Sequence, residues 1–173
     1  SNEVRDVVMV RDVILVATVT KRRINGAGYI RISNFARRTP DELRDALSEL
    51  HGTGIQSLVL DLRNNPGGLL EASVQVAAQF LPKGNLVLVQ KSRDAPRTEW
   101  KVGDEGADLT TPIMLLVNRG TASAAEIVAG ALQAHGRALV IGEKTFGKGS
   151  MQELHRLSDD SMLRITSGIW ITP

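Results

Sequence analysis

The chain has 173 residues, enough for one domain with a sizeable core, and its 42% hydrophobic and 23% charged residues are ordinary for a globular protein. Twenty-one basic against 19 acidic residues leave a formal charge of +2, too weak to argue for nucleic acid or an acidic membrane surface as a partner. The absence of cysteine removes disulfides, thiolate metal sites and a cysteine nucleophile together, and leaves the redox compartment open.

In chain order, Ser1-Asn2 reads as a tag remnant, and 7–20 (VVMVRDVILVATVT) is rich in β-branched residues and predicts one or two strands. Lys21-Arg22-Arg23 reads as a solvated strand end or turn leading to Asn25-Gly26. GYIRISNF (28–35) is the next strand. A helix follows, with Thr39 as N-cap, Pro40 in its first turn, and Leu43, Ala46, Leu47 and Leu50 on one face. IQSLVLDL (55–62) is a short apolar strand and RNNPGG (63–68) a turn. Leu70, Val74, Ala77, Ala78 and Leu81 mark a second helix, 86–89 a strand, and 98–102 a stretch with strand potential. Strand 113–117, turn NRGTAS and a third helix bearing Ala124, Ile127, Val128, Ala131 and Leu132 come next. Strand 138–141, a glycine-rich loop and strand 162–171 complete the chain. Strand–helix alternation from 55 to 141 predicts an α/β fold with a mainly parallel central sheet, more antiparallel at the chain ends. No apolar stretch approaches the roughly 20 residues a membrane-spanning helix needs.

Loops at the carboxyl ends of parallel strands carry sites. Three qualify: 63–68, 118–123 and 142–152. Ser123 opens the third helix, where a hydroxyl serves as an N-cap, and Glu126 completes an S-x-x-E capping box. The functional reading makes Ser123 a nucleophile beside amides able to hold an oxyanion. Its base must then be found. His51, His135 and His155 all lie outside the three loops and read as surface histidines, whereas Lys148 lies within one. A lysine serves only when neutral, which takes a fall of about 3 from a reference near 10.4, or about 4 kcal/mol. Burial in a glycine-walled pocket would supply that, with Gln152 orienting the amine without adding charge. A rival reading takes Gly142-x4-Gly147-Lys148 as a phosphate-binding loop, with LVLD (58–61) as the magnesium strand. Gly149 stands where that motif needs Ser or Thr, and 150–160 carries turn signals where a long helix should begin.

Taken together, GYIRISNF, LVLDLRNNPGG, LLVNRGTASAAEIVAGALQ and GEKTFGKGSMQ resemble, in order, the hallmark segments of the C-terminal processing (tail-specific) peptidases. The resemblance runs from about Val13 to Pro173. It implies a crotonase-like ββα core and a Ser-Lys serine endopeptidase that cleaves proteins near their C-termini through an acyl-enzyme. Residue by residue, it implies Ser123 as nucleophile, Lys148 as base, Gln152 as the accompanying glutamine, and the amides of Ala124 and Gly68 (Gly67 as fallback) as oxyanion donors. Cofactor and metal are none, and substrate-binding residues are left open. Ala125 stands where many relatives have serine, and Asp160 where a turn glycine is common. The resemblance also implies an extracytoplasmic location, protein or peptide C-terminal segments as partners, a substrate-gating PDZ domain in the full-length protein, and no nucleic acid; homo-oligomerisation stays open. On this reading 1–13 is a tag remnant and the end of a PDZ domain, and 14–173 is the peptidase core, cut short at its C-terminal end. The alternative is a catalytically inactive peptide-binding homologue of the same fold.

Overall fold

The computed structural model describes Val8 and residues 16–92, 96–104 and 106–173. The stretch 1–13 expected as a tag and PDZ remnant lies outside the described residues, Val8 apart, as does most of the strand expected from residue 7. Twelve elements follow in order: β1 (Val19–Ile24), β2 (Ala27–Ile32), α1 (Thr39–Gly52), β3 (Ser57–Asp61), α2 (Leu70–Ala78), β4 (Leu86–Ser92), β5 (Thr98–Lys101), β6 (Ile113–Val117), α3 (Ala124–Ala134), β7 (Ala138–Gly142), β8 (Ser150–Arg156) and β9 (Met162–Ile171).

They form two sheets. The first has the order β1-β2-β3-β6-β7, antiparallel only between β1 and β2. Alternation along its strands sends Ile30, Ile32, Leu58, Leu60, Ile113, Leu115 and Val117 inward. There they meet Leu43, Leu47 and Leu50 of α1, Val76 and Ala77 of α2, and Ile127, Val128, Ala131 and Leu132 of α3. The opposite face is not covered among the described residues: Met114, Leu139 and Ile141 are 40%, 65% and 41% exposed. The second sheet, β5-β4-β9-β8, is wholly antiparallel.

The parallel sheet and its antiparallel flank agree with the predicted class. Three details differ. Of the two readings of Lys21-Arg22-Arg23 the exposed strand holds, and the turn is shorter than expected: all three sit in β1, Arg22 lies over the Tyr29 ring at 4.5 Å, and the turn is confined to Asn25-Gly26, both at positive φ. Strand β4 does not join the parallel sheet despite following a helix; it pairs with β5 and β9 instead. Residues 150–156 form a strand that the polar, turn-rich sequence concealed, because its partner is the neighbouring β9 and its pattern is not that of a half-buried strand.

The loops after β3, β6 and β7 leave the same edge of the first sheet. That edge is where the site is built.

Candidate active site

The first loop is fixed from below. Asp61, at the end of β3 and 1% exposed, accepts from Arg63 Nη2 (2.7 Å) and from the Tyr29 hydroxyl (2.7 Å). Burial pushes its carboxyl up, but the hydrogen bonds from Arg63 and Tyr29 outweigh this and hold it below the usual carboxylate value. The buried Asn65 side chain donates to the Ile32 carbonyl and accepts from Gly67 N–H, each at 2.9 Å. Gly67 O and Leu69 N–H then bond to Phe35 on either side of Gly68, tying the turn to the residues after β2.

The second loop is stitched to the first. Ala122 N–H donates to Asn65 O (2.9 Å), Thr121 Oγ1 to Leu62 O (2.8 Å), and Asn64 and Asn118 exchange two bonds of 2.9 Å. These contacts hold Ser123 at φ 54°, ψ −121°, a conformation that L-residues avoid. A Cβ placed on Gly67 would come within 2.8 Å of Ser123 Cβ and 2.9 Å of Ala124 N, so only glycine fits there.

Glu126 links the second loop to the third. Ser123 N–H donates to its Oε2 at 2.8 Å, the side-chain half of the expected capping box. The Glu126 N–H bonds to the Ser123 carbonyl at 2.8 Å. The same carboxylate, in a residue 9% exposed, accepts from Thr145 Oγ1 (2.7 Å), Gly147 N–H (2.6 Å) and Lys148 N–H (2.9 Å). One buried carboxylate thus holds the turn carrying Ser123 and the loop carrying Lys148.

The result is a cavity of about 430 Å³ lined by Ser123, Ala124, Gly68, Lys148 and Gln152, with Leu70, Ile127, Met151, Leu154, Arg164 and Trp170 among its walls. All five residues singled out from sequence meet there. The fallback Gly67 differs from Gly68: its N–H is taken by Asn65, whereas no hydrogen bond from the Gly68 or Ala124 N–H is found among the described residues. Ser123 and Lys148 are half-buried and Gln152 is exposed. Among the described residues no hydrogen bond joins the Ser123 hydroxyl to Lys148, and none joins Gln152 to Lys148, so the orienting bond expected of Gln152 is not made in this arrangement.

The sequence pattern of peptidase family S41 matches residues 26–173. The chain belongs to that family. It is 41% identical over 174 residues to the carboxy-terminal-processing protease of Bartonella bacilliformis, covering 97% of this chain and 40% of that one. Against the carboxyl-terminal-processing protease of Synechocystis sp. it is 43% identical over 146 residues, covering 84% of this chain and 34% of the relative. A solved structure of a photosystem II D1 C-terminal processing protease superposes with a TM-score of 0.81 at 35% identity, covering 92% of this chain and 45% of that one. The chain therefore spans less than half the length of these S41 relatives.

The rival sites dissolve. Ser150 opens a strand rather than a helix, and the Gly147 and Lys148 amides that a phosphate would need are occupied by Glu126, so 142–149 is no phosphate-binding loop. Asp61, the supposed magnesium ligand, is engaged by Arg63 and Tyr29. His51 faces Asp108 at 3.2 Å, His135 donates to the Leu86 carbonyl at 2.7 Å, and His155 lies 3.6 Å from Glu153; none lines the S41 cavity. Among the described residues no cluster of metal-ligating side chains occurs and no helix is long and apolar enough to cross a membrane. Sequence reasoning gave Glu126 only its cap; its reach to Thr145, Gly147 and Lys148 spans a separation no local pattern reveals.

The backbone at Ser123 gives a prediction. Glycine adopts that φ,ψ without cost, so Ser123→Gly should melt higher than Ser123→Ala, by about 1 kcal/mol or more. Thermal unfolding of the two variants measures it, and equal midpoints would show the turn to be unstrained.

Proposed function

We propose that this chain is the catalytic core of a serine endopeptidase that cuts proteins near their C-termini with a Ser123–Lys148 dyad. The neutral Lys148 amine takes the Ser123 proton as Oγ bonds to the substrate carbonyl carbon. The carbonyl oxygen becomes an oxyanion held by the Gly68 and Ala124 N–H groups. The tetrahedral adduct collapses, the peptide C–N bond breaks, and the Lys148 ammonium gives its proton to the leaving amine. Water, deprotonated by the same amine, then releases the acyl group and restores Ser123. Gln152 orients the amine once substrate has closed the cleft; catalytic hydrogen bonds commonly tighten only in the complex.

The observation carrying this reading is that two amides without partners among the described residues converge with the Ser123 and Lys148 side chains on one cavity. The relatives' names support the C-terminal cut, while a PDZ domain elsewhere in the protein and a place outside the cytoplasm rest on the resemblance of the sequence motifs alone. The open hydrogen bond between Ser123 and Lys148 favours, as the competing reading, an inactive peptide-binding homologue.

A fluorophosphonate probe separates the two. A covalent adduct mapped to Ser123 by mass spectrometry, forming faster as pH rises through the alkaline range, is the expected result. A folded protein that takes no label, or labelling governed by a group near pH 6.5 as histidine would give, overturns the dyad.

A further inference from the structure

The β8–β9 hairpin forms one wall of the cavity. Its register places Leu154 opposite Arg164 and Gln152 opposite Thr166. Gln152, Leu154 and Arg164 all line the cavity. The adjacent positions Glu153, His155, Leu163 and Ile165 belong to the other face of the hairpin by strand alternation.

Arg164 is singular among the charges near the site. Among the described residues only two charged side chains line the cavity, Lys148 and Arg164, and no carboxylate does. The acidic groups of the hairpin are engaged elsewhere: Glu153 faces His155, Asp159 accepts from Ser161, and Asp160 pairs with Arg156 at 2.8 Å. Among the described residues Arg164 makes neither an ion pair nor a side-chain hydrogen bond. Arg38, Arg44, Arg63, Arg119, Arg137 and Arg156 each pair with an acid, and of the arginines that do not, such as Arg23, Arg31 and Arg37, only Arg164 lines the cavity among the described residues. If Lys148 works as a neutral base, Arg164 is the one fixed charge in the cleft.

We propose that Arg164 is a specificity-determining residue that binds a substrate carboxylate. A planar guanidinium with its donors unspent suits a carboxylate, which can accept two parallel hydrogen bonds from it. The distance sets the register. Ser150, at the Lys148 end of the cavity, and Leu154, opposite Arg164, are separated by four residues of strand, about 13 Å at about 3.3 Å per residue. An extended substrate spans the same length with about four residues, so its carboxylate lies about four residues from the bond that is cut. That carboxylate is either the free C-terminus, which would make the site cut short tails, or an aspartate or glutamate side chain. This inference rests on Ser123 being the nucleophile.

The test uses the whole chain. Cut sites are mapped on an unfolded test protein by mass spectrometry, and peptides are made around one of them. One pair differs only in a free-acid or amidated C-terminus four residues past the cut. A second set exchanges Glu for Gln at each position within four residues on either side. The wild type should show a kcat/KM ratio of about tenfold in favour of the carboxylate in one of the two sets, shrinking as salt is raised. In Arg164→Gln the ratio should fall to about one. In Arg164→Glu it should invert, with a lysine-bearing peptide preferred. Loss with the amide identifies the chain terminus, and loss with Gln identifies a side chain. No carboxylate preference in the wild type, or one that survives in Arg164→Gln, overturns the proposal while fluorophosphonate labelling of Ser123 still upholds the dyad. Failure of both labelling and cleavage overturns the dyad and the Arg164 assignment with it.

Discussion

Ser123→Ala is expected to lower peptide hydrolysis by at least about a thousandfold and to abolish fluorophosphonate labelling. In the proposed mechanism the hydroxyl oxygen forms the acyl-enzyme, and among the described residues no other serine sits beside both unpartnered amides. Ser150 also lines the cavity but opens β8, with no helix amide following it. Alanine keeps the Cβ that packs against Gly67, and the bond from residue 123 N–H to Glu126 does not involve the hydroxyl, so the fold should survive. Circular dichroism and thermal melting separate a lost nucleophile from a lost fold. Hydrolysis within tenfold of wild type in a folded variant would mean that another group attacks the substrate.

Glu126→Ala should damage stability and turnover together. Its carboxylate is the shared acceptor for Ser123 N–H, Thr145 Oγ1, Gly147 N–H and Lys148 N–H. Removing it leaves four donors in a half-buried site to find water. Hydrogen bonds to a charged group each contribute about 1.5–3 kcal/mol, and partial rehydration of the loop recovers some of this. A net loss of about 2–4 kcal/mol is expected, which lowers the melting temperature by about 5–12 °C in a domain of this size. Turnover should fall by at least about a hundredfold, in kcat rather than KM, because the group sets where Lys148 and Ser123 stand and does not face the substrate. Glu126→Gln keeps the shape and one acceptor oxygen but turns an N–H₂ toward the loop amides, so it should fall between the two. Stability lost without a change in kcat would make Glu126 a cap and nothing more.

The course of the main chain is largely legible in the residues. Thr39-Pro40 followed by Leu43, Ala46, Leu47 and Leu50 predicts a helix, and α1 spans Thr39–Gly52 with those four side chains buried. Its first residue is Thr39 itself with Arg38 at the cap, a shift of one position within ordinary end uncertainty. Apolar β3, β6 and β7 announce themselves because alternate residues must fill the space under three helices. Strand β8 escapes notice because most of its side chains are exposed and no burial pattern marks it. The separation into two sheets is likewise invisible locally, since β4 reads as one more strand after one more helix and only its pairing with β9 settles where it goes. In the site, the motifs around Ser123, Lys148 and Gly68 identify which residues meet. The preference for Gly68 over Gly67 gains support only from the Asn65 side chain that occupies one amide and leaves the other. Arg164 carries no sequence signal at all, because its place in the cleft depends on hairpin register.

The β2–β3–β6–β7 ladder has a bearing on how such a protein is made. The Gly68 turn, Ser123 and Lys148 hang from strand ends that are not neighbours in sequence, and Leu58 must find Ile113, and Ile113 must find Ala138, before the three loops share one edge. A nascent chain emerging N-terminus first therefore cannot bring the proposed nucleophile and base to one edge until β7 and the glycine-rich loop have followed it.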